Sequence, residues 1–157
     1  MPPTKKPEPK KEAAALEKRF KFLEHTADAL FESYGRNENE LFENSAMAMC
    51  SVMYDTGSVK KVGEIQVEQR AEKLEGLLQR FLQDLLYEME TQNTILGEFN
   101  VQIKKQGNRY LLKAKCYGEP ANEKKHAFKN EIKAVTYHGL KVEQDGKQWK
   151  ARVLLDI

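Results

Sequence analysis

"EIKAVTYHGLKVEQDGKQWKARVLLDI", Glu131 to Ile157, alternates apolar and polar residues on both sides of an Asp145-Gly146 pair. Period-two alternation marks half-buried strands, and Asp-Gly between two such runs predicts a β-hairpin. With Asp145 and Gly146 as the loop residues, Gln144 faces Lys147, and the register follows by counting outward. Val142 then opposes Trp149, Leu140 opposes Ala151, His138 opposes Val153 and Thr136 opposes Leu155, all on one mostly apolar face. That face is expected to meet the core, with His138 as a hydrogen-bonded core histidine. The opposite face carries Lys141 with Lys150, Gly139 with Arg152, Tyr137 with Leu154 and Val135 with Asp156, and Lys133 lies one diagonal step from Asp156. A bulge in either run would break this parity.

The strand pattern continues to Ile157, so this end is expected to be anchored, with an α-carboxylate one residue from the Asp156 carboxylate. Carboxylates that close repel, and protonation, a lysine such as Lys133, or a hard cation relieves the repulsion. Asp28 could add an oxygen if the first strands lie beside the last, an adjacency the sequence leaves open.

Working back from the tail, "GEPANEKKHAFKNE" (Gly118–Glu131) is a polar connection. Before it, Phe99, Val101 and Ile103 alternate with polar residues, as do Tyr110, Leu112, Ala114 and Cys116, around a Gly107-Asn108 turn. That is a first hairpin. Leu74, Leu77, Leu78, Phe81, Leu82, Leu85, Leu86 and Met89 form a wide apolar helical stripe, and Ile65 and Val67 mark a strand ahead of it. Leu41, Phe42, Ser45, Ala46, Met49 and Met53 lie on one face of a second helix, with Asn37 and Glu40 in capping positions. Phe20 to Glu24 and Ala29 to Tyr34 read as short strands separated by the polar insert His25-Thr26-Ala27-Asp28, for which a side-chain-bonded turn is the plain explanation. These elements predict an α+β fold, a mixed, mostly antiparallel sheet built from hairpins with two main amphipathic helices on one face.

The 157 residues, 40% of them hydrophobic, suit one domain, placed at 20–157. Residues 1–19 are rich in Pro, Lys and Glu and read as a disordered basic leader, with a helical pattern from Glu12 to Arg19. The leader holds six basic and three acidic side chains, which leaves twenty basic and twenty-one acidic in the remainder, a net charge of −1. That balance does not argue for nucleic-acid binding by the folded part. Direct RNA contact would fall to the leader and to Lys124, Lys125 and Lys129. Cys50 and Cys116 lack zinc or disulfide spacing and read as small buried apolar residues. No run approaches the ~20 apolar residues that span a bilayer, and a soluble cytoplasmic protein, or a nuclear one in a eukaryote, is expected.

"EHTAD" (Glu24–Asp28), "ELFENSAMAM" (Glu40–Met49) and the tail quoted above together resemble the archease family from about Phe20 to Ile157. The resemblance implies a non-enzymatic protein that assists the RtcB-type RNA ligase of tRNA splicing, promoting guanylylation of the ligase histidine and repeated turnover. RNA and GTP chemistry would then belong to the partner. It also implies a metal site at Asp28, Asp156 and Ile157, with calcium the usual ion and magnesium or another divalent cation an alternative, and a functional lysine at Lys133. Oxygen-only ligation suits such hard cations and not zinc. His25 and Thr26 carry no ligand role. The competing reading is a metal-dependent phosphoester hydrolase or transferase that holds its ion with Asp28 and Asp156 and uses His138 or His25 as general base. No phosphate loop or nucleophile elbow supports it.

Overall fold

The computed structural model describes residues 19–24 and 28–157. The leader up to residue 18, with the disorder and helical pattern expected of it, and His25, Thr26 and Ala27 lie outside the described residues. The elements are β1 (Phe20–Leu23), β2 (Ala29–Gly35), α1 (Glu38–Met53), a short 3-10 turn (Thr56–Ser58), β3 (Gly63–Ala71), α2 (Leu74–Thr91), β4 (Thr94–Gln106), β5 (Arg109–Pro120), β6 (Ala134–Val135), β7 (Lys141–Asp145) and β8 (Gln148–Asp156).

The fold is α+β with antiparallel pairing, as expected, but the sheet is divided in two. One part is five-stranded, β1-β2-β8-β6 with β7 also on β8, and the other is three-stranded, β3-β5-β4. Both helices touch both sheets, α1 through β2, β8 and β4, and α2 through β3, β4, β6 and β7, so the helical layer lies between them. The composition of α1 permits this. Beyond its apolar face it buries Asn44, Ala48, Cys50 and Val52, mostly small side chains that let a sheet approach on each side. Phe42 of α1 stacks on Phe81 of α2 at 6.1 Å between ring centroids, at the centre of the core. Leu77, Leu78, Phe81, Leu82 and Leu85 of α2 are fully buried, each contributing about 1.5–3 kcal/mol of transfer free energy.

Helix α1 starts where expected, with the Asn37 side chain accepting from Glu40 N at 2.9 Å. It docks on β2 through a Ser33–Ser45 hydroxyl bond of 2.6 Å and through Asn44 Nδ2, which donates to Tyr34 O at 2.6 Å. Its polar side chains also cap the open edge of β4. Val101 N donates to the Glu43 carboxylate at 2.8 Å and Ile103 N donates to Asn39 Oδ1 at 2.9 Å.

The first hairpin has the expected turn, with Gln106 opposite Arg109 around Gly107-Asn108. In the second, Asp145 faces Gln148, so the loop is Gly146-Lys147 rather than Asp145-Gly146. Glycine takes the first loop position with φ +63°, the placement a type II′ turn favours, as Gly107 does in the other hairpin. Val142 therefore opposes Ala151, and Gln144 opposes Trp149. A second departure lies between β6 and β7. Val135 pairs with Leu155 and Lys141 with Arg152, so six steps on one strand match three on the other, and three surplus residues loop out. They fall at Tyr137–Gly139, where Gly139 has φ +67° and Leu140 N bonds back to Tyr137 O. His138 is consequently exposed in a turn and not on the core face, and Val135 takes the core position opposite Leu155 that Thr136 was expected to fill.

Candidate metal and partner site

Strand β2 runs antiparallel to β8, from Ala29 opposite Leu155 to Gly35 opposite Trp149. Asp28 directly precedes β2 and Asp156 is the last residue of β8, so this pairing brings the two aspartates to the same end of the sheet. On the other edge of β8, Asp156 pairs with Ala134 of β6, and Lys133 N donates to Asp156 O at 2.7 Å. Asp28, Asp156, Ile157 and Lys133 are thus gathered at one end of the five-stranded sheet, although they come from distant parts of the chain. The closeness of Lys133 to Asp156 survives the change of register because it rests on the main chain of β6.

The faces of β8 explain how the site is held. Ala151, Val153 and Leu155 are buried against the helices, beside Phe31 and Ser33 of β2. Asp156 belongs to the outward set with Lys150, Arg152 and Leu154, and it is half-buried, as are Asp28 and Ile157. Ile157 packs against the core, so the end of β8 is fixed by apolar contact as well as by pairing. Farther along the outward face, Glu32 lies 3.7 Å from the Lys21 ammonium and 3.6 Å from that of Lys150, which is also 3.7 Å from Glu143.

Lys133 is exposed, and it meets Asp156 through its main-chain N–H. It stands at the rim of a cavity of about 750 Å³ whose lining includes Gln83, Tyr87, Met89, Phe128 and Ile132. Tyr87 and Phe128 are 61% and 47% exposed, which leaves large apolar surface at this rim.

The donor set fits a hard cation in part. Among the described residues there is no group of three or more His, Cys, Asp and Glu side chains placed to hold a metal. Asp28, Asp156 and the main-chain oxygens of Ile157 would supply oxygen donors alone, fewer than the 6–8 that calcium takes. The remaining positions would fall to water or to a partner's groups.

Several polar features were missed in the sequence. Gln79 Nε2 donates to Val135 O at 3.0 Å, and Val135 N donates to Gln83 Oε1 at 3.0 Å. His126, 3% exposed, accepts from Asn122 N through Nδ1 and faces the buried Glu119 carboxylate, which also binds Lys125. Lys125, grouped above with RNA-contacting lysines, is therefore committed to an internal pair. The glutamines had one legible signal, their one-turn spacing on the flank of the α2 stripe.

Two antiparallel sheets and a pair of helices, with two aspartates at one sheet end, define an α+β class of protein. No described helix is long and apolar enough to cross a membrane. A family model described as Archease protein family (MTH1598/TM1083) matches residues 20–157. Protein archease of Pyrococcus furiosus is 38% identical over 142 residues, covering 89% of this chain and 99% of that protein. Protein archease of Methanosarcina mazei is 40% identical over 141 residues, covering 89% and 97%. The solution structure of Methanobacterium thermoautotrophicum protein 1598 superposes with a TM-score of 0.80 at 37% identity, covering 89% of this chain and 99% of that one. The crystal structure of an archease from Thermotoga maritima, described as a possible chaperone, gives a TM-score of 0.56 at 26% identity, covering 86% and 94%. The chain belongs to the archease family.

Proposed function

We propose that this protein is a non-enzymatic activator of an RtcB-type tRNA-splicing RNA ligase, promoting guanylylation of the ligase and its repeated turnover. The supporting observation is the convergence of Asp28, Asp156 and Lys133 on one sheet end, beside an exposed aromatic rim. The description of the Thermotoga relative as a possible chaperone agrees with an assisting role.

Asp28, Asp156 and the Ile157 main-chain oxygens would hold the ion, with calcium the best match to oxygen donors on a half-exposed sheet end. When bound, such an ion offsets the charge of the carboxylate pair and offers open coordination positions to oxygens of the ligase. Lys133 would supply an exposed cation at the same sheet end, suited to an acidic group or a phosphate. The β2–β8–β6 pairing brings the main chains beside these residues to one sheet end, which supports a low ordering cost of docking. Contact with RNA is indirect or weak in this scheme.

The test is multiple-turnover RNA ligation by a purified RtcB-type ligase, with and without this protein. The native chain is expected to raise the number of turnovers, and Asp28→Ala and Asp156→Ala to remain folded by circular dichroism yet lose the stimulation. Full stimulation by both purified variants would sink the assignment.

A further inference from the structure

We infer that Gln79 and Gln83 of α2 are positioning residues for the Asp28–Asp156 site, holding β6 and through it the Lys133 main chain against Asp156. The inference rests on the cation-site reading above.

Strand β6 has two residues, Ala134 and Val135, which pair with Asp156 and Leu155 of β8, and one further main-chain bond flanks them on each side, Lys133 N to Asp156 O and Thr136 N to Leu154 O. The segments on either side form no strand, residues 121–133 before it and the looped-out turn after it. So short a segment rests on few bonds to β8, and Val135, 3% exposed, has its N–H and C=O bonded to α2. Unpaired backbone groups at that depth would each cost free energy comparable to a lost hydrogen bond. The two glutamines supply what a neighbouring strand would, Gln83 the acceptor and Gln79 the donor, each at 3.0 Å and one helical turn apart. Helix α2 thereby acts as the outer neighbour of β6.

The comparison within the molecule locates the role. Asn39 and Glu43 of α1 cap β4 in the same way, but β4 runs thirteen residues and pairs with β5 along that length, so its register does not depend on the cap. At β6, by contrast, the cap secures a strand whose far edge carries a proposed ligand.

Calcium titration of the full chain by calorimetry, with amide exchange followed by NMR, tests this. Gln79→Met and Gln83→Met are expected to weaken calcium binding about tenfold, the range typical for groups that orient metal ligands. They should also speed exchange at the Val135 and Lys133 amides while β4 amides keep native protection. Gln83→Glu keeps the acceptor and should retain native affinity, whereas Gln79→Glu loses the donor and should behave like Gln79→Met. Native affinity in both Met variants, with binding lost in Asp156→Asn, overturns the positioning role and leaves the cation site standing. Native affinity in Asp156→Asn overturns both. If the Met variants fail to fold, the two Glu variants decide, and equal affinities for them overturn the inference.

Discussion

Tyr54 links α1 to β4 by a single oxygen, and its removal has a magnitude that the structure sets. The hydroxyl donates to Leu96 O at 2.7 Å and accepts from Leu96 N at 2.8 Å, with Tyr54 only 2% exposed and Leu96 fully buried. The ladder to β5 shifts between Leu96 and Glu98, so these Leu96 groups have the phenol in place of a strand partner. Burial, reinforced by neighbouring Cys50, pushes the phenol above its ordinary pKa, which keeps its proton available to Leu96. Tyr54→Phe leaves one donor and one acceptor unsatisfied, each costing about 1–3 kcal/mol, with part returned because the phenol no longer needs desolvation. The expected loss is about 2–4 kcal/mol, against the 5–15 kcal/mol typical of a folded domain. At roughly 2–4 °C per kcal/mol for a chain of this size, Tm should fall by about 4–16 °C. Urea unfolding followed by circular dichroism measures it, with the midpoint lowered and the slope unchanged. The exposed Tyr87→Phe serves as the control and should stay within about 0.5 kcal/mol. A Tyr54→Phe variant as stable as that control would refute the bridging role.

Two further predictions concern buried ionisable groups. The Lys125 ammonium and then the Lys60 N–H hold the Glu119 carboxyl at about 2, below its ordinary 4.5, so its contribution to stability is present above pH 4.5 and lost as pH falls toward 2. Urea midpoints measured down that range should decline less steeply in Glu119→Gln than in the native chain, and parallel declines would contradict the assignment. Burial pushes the Cys50 and Cys116 thiols up to about 12. Iodoacetamide at mildly alkaline pH should leave both untouched in the native protein and modify both after unfolding, and rapid labelling of the native protein would overturn their placement in the core.

Local chemistry made much of the fold legible. Gly107-Asn108 between alternating runs specified the first hairpin, and Asn37 with Glu40 specified the start of α1. The tail hairpin was legible as a hairpin, but its register turned on whether Gly146 sits first or second in the loop, and both placements are stereochemically open to glycine. The looped-out Tyr137–Gly139 left no mark in the alternation, and it moved His138 from the core face to solvent. The division into two sheets depended on α1 burying two opposite sides. Small residues such as Ala48 and Cys50 allow that without announcing it.

For the site, counting along the tail placed Lys133 near Asp156, and the structure keeps them adjacent through a main-chain bond. The approach of Asp28 depends on β2 pairing with β8, a contact between opposite ends of the chain that period-two alternation does not specify. Family resemblance supplied that link in the sequence. Gln79 and Gln83 looked like the solvated flank of an amphipathic helix, because a polar side chain facing a strand edge resembles one facing water.

The proposed function has the protein raise guanylylation of an RtcB-type ligase through the cation site and Lys133. Its most direct measurement is incorporation of radiolabelled GTP into the ligase in a single turnover, with calcium present, comparing the native chain with Asp28→Asn, Asp156→Asn and Lys133→Ala. The account predicts faster labelling with the native chain and the unstimulated rate with each variant. Equal stimulation by all four proteins, or none by the native chain, would contradict it.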